Sequence, residues 1–237
     1  MHDRRAAEIQ EIAHGSRQAL RQSPRSTAAD ELTTGSDERR EAREARERWN
    51  RRYRERDRSA DPAPASEWLS ENSAEIARRA PGRALDLACG TGRNALHLAR
   101  CGFTVDALDV SDVAIAALAD TAQRHGLAIH ARVADLEREP LPTDRYDVVV
   151  LINYLQRSLF EAIPSRLSSE GILVAETVTR AHIEQLGHLF DPRFVLEPRE
   201  LERAFPSLTV VRYREGVTER AGRPRAVASL LAQRQRD

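Results

Sequence analysis

The sequence contains no lysine, and all 37 of its basic residues are arginine. An arginine at any one position is therefore not by itself a sign of function. The 37 acidic residues balance the arginines, so the formal net charge is +0. A chain without net charge has no general attraction to nucleic acid or to an anionic membrane, although local patches remain possible. We therefore expect no membrane partner, and nucleic acid is disfavoured.

Cysteines and long apolar runs are scarce as well. Two cysteines, Cys89 and Cys101, are too few for a secreted disulfide scaffold and fit a reducing compartment. The N-terminal residues lack the apolar stretch of a secretory signal, and the strongest apolar run, residues 148–152, is far too short to span a bilayer. These scarcities lead us to expect a cytoplasmic protein.

The length of 237 residues suits one α/β domain with an appendage. Residues 1–37 are polar and lack aromatic rings, so we expect a largely disordered tail. Residues 38–80 are expected to form a helical lid or appendage, because opposite charges recur at helical spacing over 38–58 and a helix is predicted over 67–79. Residues 81–237 form the predicted main domain.

From residue 83 onward, apolar strands alternate with helices. This alternation predicts a doubly wound α/β fold whose parallel strands are joined by right-handed crossovers. The last two strands are separated by Gly216 and Gly222, which predicts an antiparallel hairpin. The whole is a seven-stranded, mostly parallel sheet that ends in this hairpin. The strands are expected at residues 84–87, 103–108, 127–133, 146–152, 171–176, 208–214 and 226–231, and the later helices at 93–100, 111–126, 159–167, 180–189 and 198–205.

A glycine-rich loop follows the first predicted strand. Gly90 and Gly92 let the backbone approach a ligand closely, and the next helix offers free N–H groups at its start. Residues 90–95 also fit the G-x-G-x-x-G/A pattern of dinucleotide-binding proteins. NAD is therefore one alternative for the ligand.

Acidic residues at the strand ends separate the possible ligands. Asp86, four residues before Gly90, would repel a pyrophosphate but attract the ammonium group of S-adenosylmethionine. Asp109 can accept hydrogen bonds from ribose hydroxyls in either ligand. Asp135 can accept from the adenine amino group while Leu136 contacts the ring. Together with the late hairpin, Asp86 and Asp135 favour S-adenosylmethionine over a dinucleotide.

These segments resemble the successive motifs of class I S-adenosylmethionine-dependent methyltransferases. The motifs are residues 86–92 (DLACGTG), 108–111 (LDVS) and 134–136 (ADL). Within that class the chain resembles the small-molecule branch around the tellurite-resistance and thiopurine-type enzymes, over residues 46–232, through the segments 49–53 (WNRRY), 66–69 (SEWL), 153–160 (NYLQRSLF) and 176–177 (ET). The resemblance implies a Rossmann-like methyltransferase fold, with S-adenosylmethionine as donor and S-adenosylhomocysteine as product.

The candidate site residues follow from the loop, the acids and the resemblance. Trp49 and Tyr53 share one helix face and could either close over the donor as a lid or only pin the helix to the core. Asn153 and Tyr154 leave the fourth strand beside the loop and are the candidate catalytic residues, although Tyr154 could equally pack under the next helix. No metal-ligand cluster is evident, so no metal is predicted. The predicted donor-binding residues are Asp86, Ala88, Gly90, Thr91, Gly92, Asn94, Asp109, Val110, Asp135, Leu136, Asn153, Trp49 and Tyr53.

Methyl transfer from a sulfonium is an in-line displacement, so the protein mainly aligns the reactants and excludes water, and a general base is optional. We expect a methyltransferase for a small-molecule acceptor. Two alternatives stay open: methylation of RNA or protein, helped by the arginines of residues 39–58, and a non-catalytic S-adenosylmethionine-binding module. Arg157 could bind an anionic acceptor, but a surface role is favoured in so arginine-rich a chain. No pattern predicts an oligomeric state.

Overall fold

The structure, a computed structural model, describes residues 28–55, 63–187, 191–220 and 222–236. Residues 1–27 of the predicted tail therefore lie outside the described residues. The chain divides into two units, residues 1–41 and residues 42–237. Helix α1 spans Ala28–Arg54, so it begins ten residues before the predicted boundary at residue 38. The sheet and the glycine-rich loop lie in the unit of residues 42–237.

The predicted seven-stranded sheet is confirmed. Its strands run in the order β3-β2-β1-β4-β5-β7-β6, with the first five parallel and β7 antiparallel to both of its neighbours. Both strands of the final hairpin are longer than the apolar pattern indicated, because their ends are polar. The strands are β1 Gly82–Leu87, β2 Phe103–Asp109, β3 Ile129–Val133, β4 Tyr146–Ile152, β5 Leu167–Val178, β6 Leu208–Arg220 and β7 Arg223–Arg234.

The helix predicted over 67–79 is two short helices that meet at Asn72. The Asn72 side-chain amide donates to the carbonyl of Trp68 at 2.7 Å, a local hydrogen bond that competes with helix continuation. The other helices after α1 are mostly shorter than predicted, and residues 188–190 lie outside the described part. The helices are α2 Glu67–Glu71, α3 Ser73–Ala77, α4 Arg93–Arg100, α5 Asp112–Arg124, α6 Leu159–Ala162, α7 Ala181–Glu184 and α8 Glu200–Arg203, with 3₁₀ turns at Ile163–Arg166 and Pro192–Phe194.

Apolar side chains cover both faces of the sheet, as a doubly wound fold requires. On one face α2 to α5 bury residues such as Leu69, Leu96 and Leu118, and on the other the segment after β4 and α8 bury Leu159 and Phe205. The carboxyl ends of the parallel strands share one edge, and the glycine-rich loop lies there.

Trp68 joins the N-terminal appendage to the C-terminal hairpin. Its indole N–H donates to the carbonyl of Leu230 in β7 at 3.1 Å, across 162 positions of sequence. The guanidinium groups of Arg212 and Arg214 lie 5.5 and 4.9 Å from the indole ring centroid. Trp68 is only 2% exposed, so α2 is fixed to the sheet by a buried anchor.

Candidate functional site

The loop between β1 and α4 has an alternating backbone conformation. Ala88, Gly90 and Gly92 have φ angles of +53°, +57° and +82°. The Cys89 N–H donates to the carbonyl of Leu108 at 2.9 Å, which ties the loop to the end of β2. Left-handed backbone is costly for a residue with a Cβ, and such strain clusters at functional sites. The sequence places Ala88 among the predicted donor-binding residues, and the structure adds its left-handed backbone, which the sequence pattern does not indicate.

The two loop glycines are required for different reasons. A Cβ at Gly90 would lie 2.6 Å from the hydroxyl oxygen of Tyr53, so Gly90 faces the space beneath helix α1. A Cβ at Gly92 would lie 2.2 Å from Cδ1 of Leu118, so Gly92 allows α4 and α5 to approach each other. The sequence pattern gives both glycines one role, whereas the structure gives Gly92 a packing role.

We expect Gly92→Ala to destabilise the fold by overpacking against Leu118. A cost of about 2 kcal/mol would lower the thermal midpoint by about 4–8 °C. Gly102→Ala is the matched control, because Gly102 also has a positive φ, +96°, but nothing lies within 4 Å of its added Cβ. Thermal unfolding followed by circular dichroism measures both variants. Equal losses in the two would attribute the effect to backbone strain alone and contradict the packing role.

Asp86, at the end of β1, is a buried carboxylate held by one backbone donor. It is 1% exposed, and its Oδ2 accepts a hydrogen bond from the N–H of Ala95 in α4 at 3.0 Å. Burial raises the pKa of Asp86 to about 7. The Ala95 bond and the charge of Arg93 lower this pKa without offsetting the burial. A cationic ligand would relieve the unfavourable burial of the charged form.

Asp109, at the end of β2, organises the backbone around the loop. Its Oδ2 accepts from the Gly90 N–H at 2.8 Å and its Oδ1 from the Ser111 N–H at 2.9 Å. A hydrogen bond from the backbone of Val110 also favours the charged form, but burial still raises the pKa of Asp109. The predicted ribose acid thus holds the loop that carries Gly90.

Asn94 and Thr91 lie in different environments. The buried Asn94 accepts, through Oδ1, a hydrogen bond from the Ser66 N–H at 2.9 Å. Ser66 in turn caps α2, since its Oγ accepts from the Leu69 N–H at 3.3 Å. Thr91 is exposed at the loop surface. Asn94 therefore connects the start of α4 to the appendage, a contact that no sequence spacing indicates.

The predicted adenine pair, Asp135 and Leu136, makes contacts of its own. Asp135 accepts from the Glu137 N–H at 3.1 Å and pairs with Arg138 at 3.0 Å. Leu136 is 7% exposed and packs in the core on the α8 side of the sheet. In this structure Asp135 stabilises the turn that directly follows it. Its hydrogen bond to adenine stays a prediction.

The end of helix α1 reaches the glycine loop. Trp49 and Tyr53 stack with ring centroids 6.0 Å apart, and the hydroxyl of Tyr53 lies over Gly90. Trp49 is 36% exposed and has Arg52 5.4 Å from its ring centroid. The loop is therefore covered by Tyr53, with Trp49 supporting that ring from the solvent side.

Asn153 and Tyr154 leave β4 at the same edge. Asn153 has φ of +58°, its N–H donates to the carbonyl of Glu176 at 2.7 Å, and its Oδ1 accepts from Arg225 at 3.1 Å. Tyr154 is half-buried and packs against the apolar core on the α8 side of the sheet. Burial, then the charges of Glu137, Asp135 and Asp109, raise the Tyr154 pKa. Tyr154 therefore lies near the predicted ribose and adenine acids.

Glu176 and Arg157 are both held by other side chains. Glu176 is 5% exposed and accepts from the Ser229 hydroxyl at 2.8 Å, with Arg214 3.8 Å away. Arg157 pairs with Glu200 at 2.6 Å and donates to two backbone carbonyls. Arg157 thus braces the region before α8, in agreement with the surface role.

Within the described ranges, no three His, Cys, Asp or Glu side chains are grouped so as to hold a metal ion. No helix in the described part of the chain is long and apolar enough to cross a membrane.

Part of the chain is similar to known methyltransferases. Residues 84–170 match the family model described as a methyltransferase domain. Hemagglutinin 1 of Eikenella corrodens is 41% identical over 70 residues, which cover 30% of this chain and 23% of that protein. The probable S-adenosyl-L-methionine-dependent methyltransferase TehB of Haemophilus influenzae is 33% identical over 88 residues, covering 36% of this chain and 29% of TehB. The matches span less than a third of either relative.

Solved structures show the same fold. The crystal structure of Haemophilus influenzae TehB gives a TM-score of 0.61 at 21% identity, covering 70% of this chain and 62% of that chain. A structure described as the conversion of a disulfide bond into a thioacetal group during echinomycin biosynthesis gives a TM-score of 0.59 at 21% identity. The match covers 80% of this chain and 91% of that chain. Residues 84–170 are therefore similar to a methyltransferase domain, and the chain resembles S-adenosylmethionine-dependent methyltransferases, TehB among them.

Proposed function

We propose that the chain transfers a methyl group from S-adenosylmethionine to a small-molecule acceptor. The observation that carries this proposal is the buried carboxylate of Asp86 beside the Gly90 loop. Among the described residues, its one hydrogen bond comes from the Ala95 N–H, a neutral donor. A ligand with a cationic amino acid moiety matches this carboxylate, whereas an anionic ligand does not.

The same contact argues against a dinucleotide. In a dinucleotide-binding protein the pyrophosphate uses the free N–H groups at the start of the helix after the first strand. Here the Ala95 N–H in the first turn of α4 is already bound to Asp86, which is also negatively charged when ionised. A pyrophosphate would meet both an occupied donor and a like charge.

The cover over the loop supports a small acceptor. Tyr53 lies on Gly90, and Tyr154 leaves β4 at the same edge of the sheet, where the charges of Asp109 and Asp135 act on it. An acceptor that reacts beneath such side chains is limited in size, which disfavours RNA and folded protein. Arg51, Arg52 and Arg54, at the end of α1, are exposed to solvent.

In the proposed reaction the donor, when bound, supplies an activated methyl group on its sulfonium. Asp86 binds the donor's ammonium and orients it. Gly90 leaves room for the amino acid moiety of the donor. Asp109 fixes the loop and accepts hydrogen bonds from the ribose hydroxyls. Tyr53 and Tyr154 exclude water from the transfer path, while Asn153 lines the acceptor side. Alignment, not a side-chain base, is then the main source of rate enhancement.

Isothermal titration with S-adenosylhomocysteine and with NAD tests the donor class. We expect binding of S-adenosylhomocysteine and none of NAD; the reverse result would refute the proposal. A radiolabelled-methyl screen over selenite, tellurite, thiols, amines, phenols and RNA then tests the acceptor. Transfer only to RNA would replace the small-molecule acceptor by nucleic acid. Donor binding without transfer to any acceptor would favour a binding module.

A further inference from the structure

Asn50 is the buried residue of an otherwise solvent-facing helix end. Among residues 42–55, all of them described, it is the only side chain that is buried, at 3% exposed. It lies between Trp49 and Tyr53 in sequence. Most of the residues around it are charged, so apolar burial contributes little to the attachment of this helix end. The hydrogen bonds of Asn50 therefore contribute a fixed polar contact to the attachment of this helix end.

Asn50 uses both halves of its amide. Its Nδ2 donates to Asp112 Oδ1 at 2.7 Å, and its Oδ1 accepts from the Ser111 hydroxyl at 2.6 Å. Ser111 Oγ also accepts from the Ala114 N–H at 3.1 Å and so caps α5. A buried amide with donor and acceptor both satisfied fixes one geometry, because any shift leaves a buried polar group unpaired.

These bonds extend a chain of contacts that returns to the loop. Ser111 donates its N–H to Asp109, and Asp109 accepts the Gly90 N–H through its other oxygen. Gly90 lies under the hydroxyl of Tyr53, which follows Asn50 by three positions on α1. The circuit Asn50–Ser111–Asp109–Gly90–Tyr53 closes on itself. One residue thus couples the covering helix to the acid that holds the loop.

We propose that Asn50 is a positioning residue that latches the end of α1 over the glycine loop and thereby sets the affinity for the donor. This inference rests on the proposed function. Asn50 acts through Ser111, Asp112 and the placement of Tyr53, and it has no contact with the reacting atoms. Without the Asn50 hydrogen bonds, the end of α1 lies over the loop in a smaller fraction of the molecules. Because the donor binds the molecules in which the loop is covered, its apparent affinity falls in proportion to that fraction.

The test exchanges the hydrogen-bond donor and the hydrogen-bond acceptor between Asn50 and Asp112. In Asn50→Asp, two carboxylates face each other and the amide donor is lost, so we expect S-adenosylhomocysteine to bind at least tenfold more weakly. Adding Asp112→Asn restores an amide opposite a carboxylate and keeps the acceptor for Ser111. The double variant should return to within about threefold of the parent, a coupling that a double-mutant cycle isolates. Asp112→Asn alone is the control, because Asn50 can still donate to the new amide oxygen.

A second readout does not need the donor. Trp49 is 36% exposed and Trp68 is 2% exposed, so iodide quenching of tryptophan fluorescence reports chiefly on Trp49. Quenching should increase in Asn50→Asp and return to the parent value in the double variant. Unchanged affinity and quenching in Asn50→Asp would overturn the latch, and so would a folded double variant that fails to recover. If the parent chain does not bind S-adenosylhomocysteine, the proposed function fails, and the quenching pattern alone decides the latch.

Discussion

Replacing Gly90 by alanine is expected to weaken S-adenosylhomocysteine binding by about a hundredfold or more. The added methyl group would point into the space between the loop and helix α1, where the Tyr53 hydroxyl is 2.6 Å away. A left-handed φ of +57° adds backbone strain of about 1 kcal/mol for any residue with a Cβ. Strain alone therefore accounts for only a small part of the expected loss. Calorimetric titration measures the affinity.

Gly126→Ala is the matched control for this strain. Gly126 has a φ of +61°, and nothing lies within 4 Å of an added Cβ. It should lose a similar stability and no affinity. A second background, Tyr53→Phe, removes the hydroxyl that the new methyl group would meet. If Gly90→Ala still abolishes binding there, Gly90 faces the donor; if binding is normal, the glycine serves only the tyrosine and our placement of the donor is wrong.

Donor affinity is expected to rise with pH until Asp86 is ionised and then to fall. Burial places the pKa of Asp86 at about 7 in the unliganded protein, so the carboxylate that attracts the donor is mostly protonated at pH 6. Below that pKa the affinity should decrease about tenfold per pH unit. Above a pH of about 8 the α-amine of the donor loses its own proton, which weakens the attraction again. Titrations from pH 5.5 to 9 should therefore give a bell-shaped profile.

Asp86→Asn should remove the acidic limb of this profile and flatten the alkaline limb, because both limbs depend on the attraction between the carboxylate and the donor ammonium. Its side-chain oxygen can still accept from Ala95, so the fold should survive. The folded pKa of Asp86 is raised, so its contribution to stability is present below about pH 4 and is lost as pH rises through about 7. The free energy of unfolding of the Asn variant should therefore fall less over that range. An unchanged acidic limb in Asp86→Asn would show that another group controls donor binding.

The number and the direction of the strands were predictable, because both depend on patterns within short segments. The apolar run of β4 and the alternation of strands and helices identify a buried parallel sheet, and two glycines identify the hairpin. Strand ends were less predictable where polar residues continue the ladder, as in β6 from Leu208 to Arg220. The break at Asn72 depends on one side-chain hydrogen bond that competes with the helix.

The site was predictable in its residue types and less so in its contacts. Sequence spacing identified Asp86, Gly90 and Asp109 as neighbours of one loop, and the structure brings all three together. It could not indicate that Gly92 meets Leu118 or that Asn50 meets Ser111, because these contacts join residues far apart in sequence. The roles of Asp86, Gly90 and Asp109 in binding the donor remain predictions.

The anchor of Trp68 on Leu230 has a consequence for how the molecule forms. The donor loop lies in the first half of the chain. Helix α2, which contacts Asn94 through Ser66, can form its hydrogen bond to the sheet only after β7 has been synthesised. Contacts across so many positions are slow to form, because the intervening chain must first be ordered. A nascent chain on the ribosome would therefore carry every motif residue and still lack a finished binding surface. We therefore expect the site to mature late in folding.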